Sequence, residues 1–134
     1  MKKLRRLIIM LMISLCLFGL CACQGGGNRD NLGYEQITQD KAKEIMDSGV
    51  KYILIDARTK SEFAERHIEG AILIPEYEIA DKAEQELPDK DALILVYCRS
   101  GRRSKIASEE LAKLGYTNVK EFGGIIDWPY EIVK

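Results

Sequence analysis

The uninterrupted apolar run Ala92-Leu93-Ile94-Leu95-Val96-Tyr97 constrains this chain more than any other stretch. A half-exposed strand alternates polar and apolar residues, whereas this one has no charged or strongly polar position. Both of its faces must be buried, as in a central strand of a parallel sheet. The run ends at Cys98. Arg99-Ser100-Gly101-Arg102-Arg103 follows as a loop. Apolar residues then return at helical spacing, at Ile106, Ala107, Leu111 and Leu114, before Gly115 stops the helix. In open α/β sheets, ligands bind beyond the carboxyl ends of strands. Cys98 stands at that position.

The remaining segments repeat the alternation of strand and helix. A short strand is expected over 34–37. Thr38 can cap a helix over 39–47, with Ala42, Ile45 and Met46 on one face and Gly49 as its stop. The run Tyr52-Ile53-Leu54-Ile55 marks a buried strand over 51–56. Thr59-Lys60-Ser61-Glu62 fits a capping box that opens a helix to about residue 66. A strand over 71–74 ends at Pro75, a helix over 78–87 precedes Pro88, and a last strand over 119–122 leads into Gly123-Gly124 and a helical tail over 125–130. Strands and helices alternating at these lengths predict one open, mainly parallel α/β sheet.

The start of the chain has a different character. Lys2, Lys3, Arg5 and Arg6 precede an almost wholly apolar stretch over 7–20, the pattern of a secretory signal. A transmembrane helix needs about 20 apolar residues, more than this stretch provides. Leu20-Cys21-Ala22-Cys23 resembles the lipobox of bacterial lipoproteins. Cleavage before Cys23 would leave that residue to carry lipid. Lipidation at Cys21 fits less well, because it puts bulky Leu20 before the cut; an ordinary secretory signal and an uncleaved anchor are the other readings. The expected organisation is a signal over 1–22, a Gly-rich tether over 23–33 and a folded domain over 34–134. The expected location is the cell envelope, on the extracytoplasmic face of the membrane.

That division leaves Cys98 as the one cysteine of the folded domain. Outside the cytoplasm cysteines are ordinarily paired, so an unpaired one reads as a reactive thiol; the alternative is an inert, buried side chain. Charge divides at the same place. The chain has 20 basic and 21 acidic residues, and without the four basic residues of the signal the balance is 16 against 21, a formal −5. An acidic domain with no basic stripe is a poor nucleic-acid binder. Within it, Arg99, Arg102, Arg103 and Lys105 cluster beside Cys98, which makes the loop a candidate anion site. A helix N-terminus and these arginines favour the thiolate, the nucleophilic form, and Ser100 and Gly101 let the backbone curl its N–H groups round the sulfur. His67 is the only histidine, and its expected role is structural. No Cys-x-x-Cys pair and no zinc-ligand spacing is present, so no metal or cofactor is expected.

Four stretches, in order, resemble the rhodanese-like domain of the sulfurtransferase family: Ile55-Asp56-Ala57-Arg58 with Ser61-Glu62-Phe63; His67-Ile68-Glu69-Gly70-Ala71 with Ile74-Pro75; Cys98-Arg99-Ser100-Gly101-Arg102-Arg103-Ser104; and Gly123-Gly124 with Trp128. Arg66 and Glu69 depart from the Gly and Pro common in the family, outside the loop. The resemblance implies a five-stranded parallel sheet flanked by helices. It also implies that Cys98 carries sulfane sulfur as a persulfide, held by the amides of Arg99, Ser100, Gly101, Arg102 and Arg103. The donor would be anionic, such as thiosulfate, and the acceptor a thiol or a thioredoxin-like protein. Asp56 and Arg58 would support the loop structurally. A phosphatase of the Cys-x5-Arg kind is a rival, but only four residues separate Cys98 from Arg103. A sulfur relay or docking module on the same fold is another, since fold alone does not give function.

Overall fold

The computed structural model describes residues 33–134. The signal over 1–22, Cys23 and the tether as far as residue 32 lie outside the described residues. The strands are β1 (Glu35–Gln36), β2 (Ile53–Asp56), β3 (Ile72–Leu73), β4 (Ile94–Cys98) and β5 (Val119–Gly124). The helices are α1 (Gln39–Asp47), α2 (Lys60–Glu65), α3 (Ile79–Glu86) and α4 (Arg102–Lys113), with 3-10 turns at Glu76–Glu78 and Ile125–Asp127. The strands form one sheet in the order β1-β5-β4-β2-β3, with parallel pairing at each junction. The expected α/β sheet is therefore the observed one, and the apolar run lies near its centre.

The side chains of β4 divide between two cores, as strand pleating requires. Ile94, Val96 and Cys98 face a layer built with Ile79 and Ala83 of α3 and Ala107 and Leu111 of α4. Leu95 and Tyr97 face the opposite layer with Ala42 of α1, Phe122 and Trp128. Local capping fixes where two of the helices begin. Thr38 Oγ1 accepts the Lys41 N–H at 3.1 Å, and Thr59 with Glu62 forms the expected capping box at α2.

The edges differ from the sequence reading. β1 and β3 are shorter than the strands expected over 34–37 and 71–74, because each has a ladder partner on one side only. β2 begins at Ile53, where its pairing with Ile94 begins. Pro75 is followed by a 3-10 turn, so α3 starts at Ile79. β5 runs to Gly124, past the expected end at Phe122. It does so through an irregularity: Val96 pairs with Glu121 but Cys98 pairs with Gly124, two steps on β4 against three on β5. Such a bulge bends a strand and re-aims its side chains. Here it falls at Cys98.

Candidate active site

Cys98 closes β4 and is 1% exposed. Its Sγ accepts the backbone N–H of Gly101 at 3.0 Å and lies 3.4 Å from Ser104 Oγ. Residues 99–101 turn back over the sulfur, and α4 begins directly afterwards at Arg102. Gly101 makes that turn with φ of +99°, a conformation that a side chain would strain. Gly124 closes the loop from the β5 side. A Cβ on it would lie 2.1 Å from the Arg99 carbonyl oxygen, which accepts the Ile126 N–H at 3.2 Å. The N–H of Gly101, the N-cap of α4, thus meets the thiol at the carboxyl end of the central strand, on the side of the helix dipole that favours negative charge. A sulfur held this way suits nucleophilic attack and the binding of a small anion.

The loop arginines do not act alike. Arg99 and Arg102 are exposed. Arg103 forms a two-pronged pair with Glu62, Nη1 to Oε2 at 2.7 Å and Nη2 to Oε1 at 2.8 Å. Hydrogen bonding from Arg103 is the main reason the Glu62 carboxyl is pulled down to about 2. The same bond raises the Arg103 guanidinium above its ordinary value. Half of this pair's charge therefore cancels the other half. Arg103 thus fastens α4 to α2, while Arg99 and Arg102 stay exposed.

Asp56 and Arg58 lie apart from the sulfur in a buried network. Arg58 Nε donates to Asp56 Oδ1 at 2.9 Å and Nη2 to Oδ2 at 2.6 Å; Nη2 also donates to the Arg66 carbonyl at 2.6 Å. Tyr97 Oη donates to Asp56 Oδ2 at 2.6 Å and accepts the Ile68 N–H at 3.1 Å. Burial, reinforced by the Asp56 charge, pushes the Tyr97 phenol well above its usual value, so it remains a donor. This network joins β2, β4 and the segment after α2. His67 belongs to the same frame. Its Nδ1 lies 2.9 Å from the Phe63 carbonyl, its ring stacks on Phe63 with centroids 3.9 Å apart, and its backbone bridges to Val133.

The profile of the rhodanese-like domain matches residues 38–129. The chain belongs to the rhodanese-like domain family. It is 40% identical over 80 residues to thiosulfate sulfurtransferase PspE of Escherichia coli, a match covering 60% of this chain and 77% of that protein. It is 36% identical over 106 residues to the adenylyltransferase and sulfurtransferase UBA4 of Candida albicans, a match covering 74% of this chain but 22% of that longer protein. Among solved structures, a rhodanese with anions from E. coli superposes with a TM-score of 0.59 at 37% identity, covering 63% of this chain and 99% of that one. A rhodanese-related protein from Thermoplasma volcanium gives a TM-score of 0.63 at 30% identity, over 75% and 98% of the two chains.

In this rhodanese-like domain, two site residues escaped the sequence reading. Glu62 caps α2, as the capping box predicts, and also holds Arg103. Glu121 is 3% exposed, and its Oε1 accepts from Ser104 Oγ at 2.6 Å and from the Gly123 N–H at 2.7 Å. Strand alternation carried a signal for it: Val119 and Glu121 share a face, and Val119 is plainly a core residue.

Proposed function

We propose that the domain is a sulfurtransferase that moves a sulfane sulfur from an anionic donor such as thiosulfate to a thiophilic acceptor through a persulfide on Cys98. The observation that carries this reading is the Gly101 N–H on Sγ, in a loop that closes over the sulfur where the central strand ends. In the first step the Cys98 thiolate attacks the outer sulfur of thiosulfate. The S–S bond of the donor breaks, and sulfite leaves with the bonding electrons. In the second step an acceptor thiolate or cyanide attacks the terminal sulfur and takes it, returning Cys98 to its thiolate. This is covalent catalysis in two displacements. The amides of residues 99–103 would hold the extra sulfur, and exposed Arg99 and Arg102 would draw the donor. Asp56 and Arg58 would keep the strand ends in place without touching sulfur.

Phosphatase chemistry fits less well, since Arg103 is both a residue too near Cys98 and already paired with Glu62. A non-turnover relay is the second reading. It is favoured by similarity to a putative sulfur carrier protein of Bacillus subtilis, 32% identical over 94 residues. Steady-state transfer from thiosulfate to cyanide separates the two. Turnover that falls at least about a hundredfold in Cys98→Ser, the scale on which single catalytic groups act, supports the transferase. Stoichiometric loading without turnover on cyanide or on thiol acceptors would leave the relay.

A further inference from the structure

A second concave site lies away from the sulfur. Side chains of α1, of the segments before β2 and after α2, and of the chain beyond the last 3-10 turn enclose a cleft of about 580 Å³, within the range of small-molecule sites. Its Ile68 and Trp128 belong to the core layer of Leu95 and Tyr97, on the other face of β4 from Cys98. No residue of the 98–104 loop lines it. The lining is aromatic and acidic. Trp128 and Tyr130 meet edge to face, with ring centroids 5.0 Å apart and planes at 69°, so that their surfaces form a corner. The polar ends of both rings are already used: Trp128 Nε1 donates to the Glu131 carbonyl at 3.3 Å, and Tyr130 Oη to Asp40 Oδ1 at 2.6 Å. The rings therefore offer faces rather than donors. Of the charged side chains in the lining, Lys43 is tied to both oxygens of Asp47 at 2.5 Å. Glu69 and Glu131 remain, and among the described residues neither carboxylate has a hydrogen-bond or ion-pair partner.

We propose that this cleft binds a small organic cation, an ammonium ion with apolar substituents, seated against the Trp128–Tyr130 corner and neutralised by Glu69 and Glu131. An aromatic face attracts a cation through the negative centre of the ring quadrupole. The fold already uses that attraction here, since Lys43 Nζ stands 5.5 Å from the Tyr130 ring centroid. An anion is disfavoured, because the one ammonium in the lining is neutralised by Asp47 while two carboxylates are left over. A metal ion is disfavoured too: among the described residues no group of three or more His, Cys, Asp or Glu side chains converges to hold one. Substituents on the nitrogen suit the site, because Met46, Tyr52 and Ile68 complete the lining with apolar surface. This role is separate from sulfur transfer and does not depend on it.

Trp128 is the only tryptophan of the chain, so its emission reports on the cleft directly. The test titrates choline into the full-length protein in an uncharged sugar detergent, with ionic strength held constant by sodium chloride. A parallel titration uses the neutral isostere of choline, in which carbon replaces the nitrogen. The expected result is a saturable change in Trp128 emission with choline and binding of the isostere weaker by about fivefold or more, the scale of a cation–aromatic contact. Glu69→Gln combined with Glu131→Gln, both at exposed positions, keeps the shape of the lining and removes its free charge. This double variant should weaken choline to a similar extent and leave the isostere unchanged. Tyr130→Leu, which keeps an apolar side chain without the ring, should weaken choline as well. Equal binding of choline and its isostere overturns the inference, as does a choline affinity that either variant leaves unchanged. Should the emission not respond, calorimetric titration decides the matter: saturable heat in the wild type is required, and its absence overturns the inference. Neither readout uses a sulfur donor, so failure of sulfur transfer and failure of this inference remain distinguishable.

Discussion

Glu62 takes part in two local structures with one side chain. Its Oε2 accepts from the Thr59 backbone N–H at 3.0 Å to complete the cap of α2, and both its oxygens receive Arg103. Its carboxyl titrates lower in the fold than in an unfolded chain, at about 2 against an ordinary 4.5. A depressed carboxylate stabilises the fold above the unfolded value, and that contribution disappears as pH falls through the folded value. The expected outcome for Glu62→Gln is therefore a loss of about 1–2 kcal/mol at neutral pH, after allowance for solvent screening. The gap between variant and wild type should close between pH 4.5 and 2. Urea midpoints measured across that range check it; a gap that persists to the acid end would assign the loss to the cap alone. At this scale the sequence was a partial guide. Cys98 was legible because it follows the longest apolar run among the described residues and precedes a loop of small and basic residues. The Arg103–Glu62 pair was not, because it joins residues 41 positions apart and no local pattern encodes such a meeting. Glu121 was hidden among the charges of Val119-Lys120-Glu121-Phe122, where a lone acidic residue reads as solvated.

Among the elements, those with strong local signals came out close to the reading: β4, which starts two residues later than expected at Ile94, α1 capped by Thr38, α2 with its capping box, and α4, which takes Arg102 and Arg103 of the expected loop into its first turn. What determines β1, β3 and the end of β5 is pairing, which is a property of two segments at once. The extension of β5 to Gly124 is the instructive case. Gly123-Gly124 looks like a loop, since glycine has weak strand propensity. Both glycines are nevertheless strand residues, because Gly124 pairs with Cys98, and the Arg99 carbonyl leaves no room for a Cβ at Gly124. The site thus depends on a strand whose sequence argues against a strand. The antiparallel bridge of His67 to Val133 belongs to the same class; it ties the chain end to the segment after α2, beyond the reach of any periodicity argument.

For the whole molecule, a five-stranded parallel sheet with helices on both faces puts one thiol at the carboxyl end of its most central apolar strand, and the rhodanese-like family accounts for that frame. The proposed place of the molecule is the extracytoplasmic face of a membrane, motivated by Leu20-Cys21-Ala22-Cys23 after the apolar stretch. Metabolic labelling with a palmitate analogue should tag the wild type and not Cys23→Ser; equal labelling of both, or of neither, would remove the anchor from the account. The central claim is the persulfide. Intact mass of the reduced protein, measured before and after thiosulfate, tests it most directly. The expected result is a gain of one sulfur atom per chain that dithiothreitol removes and that Cys98→Ser never acquires. A folded, reduced protein that gains no mass, or that gains it equally without Cys98, would contradict it.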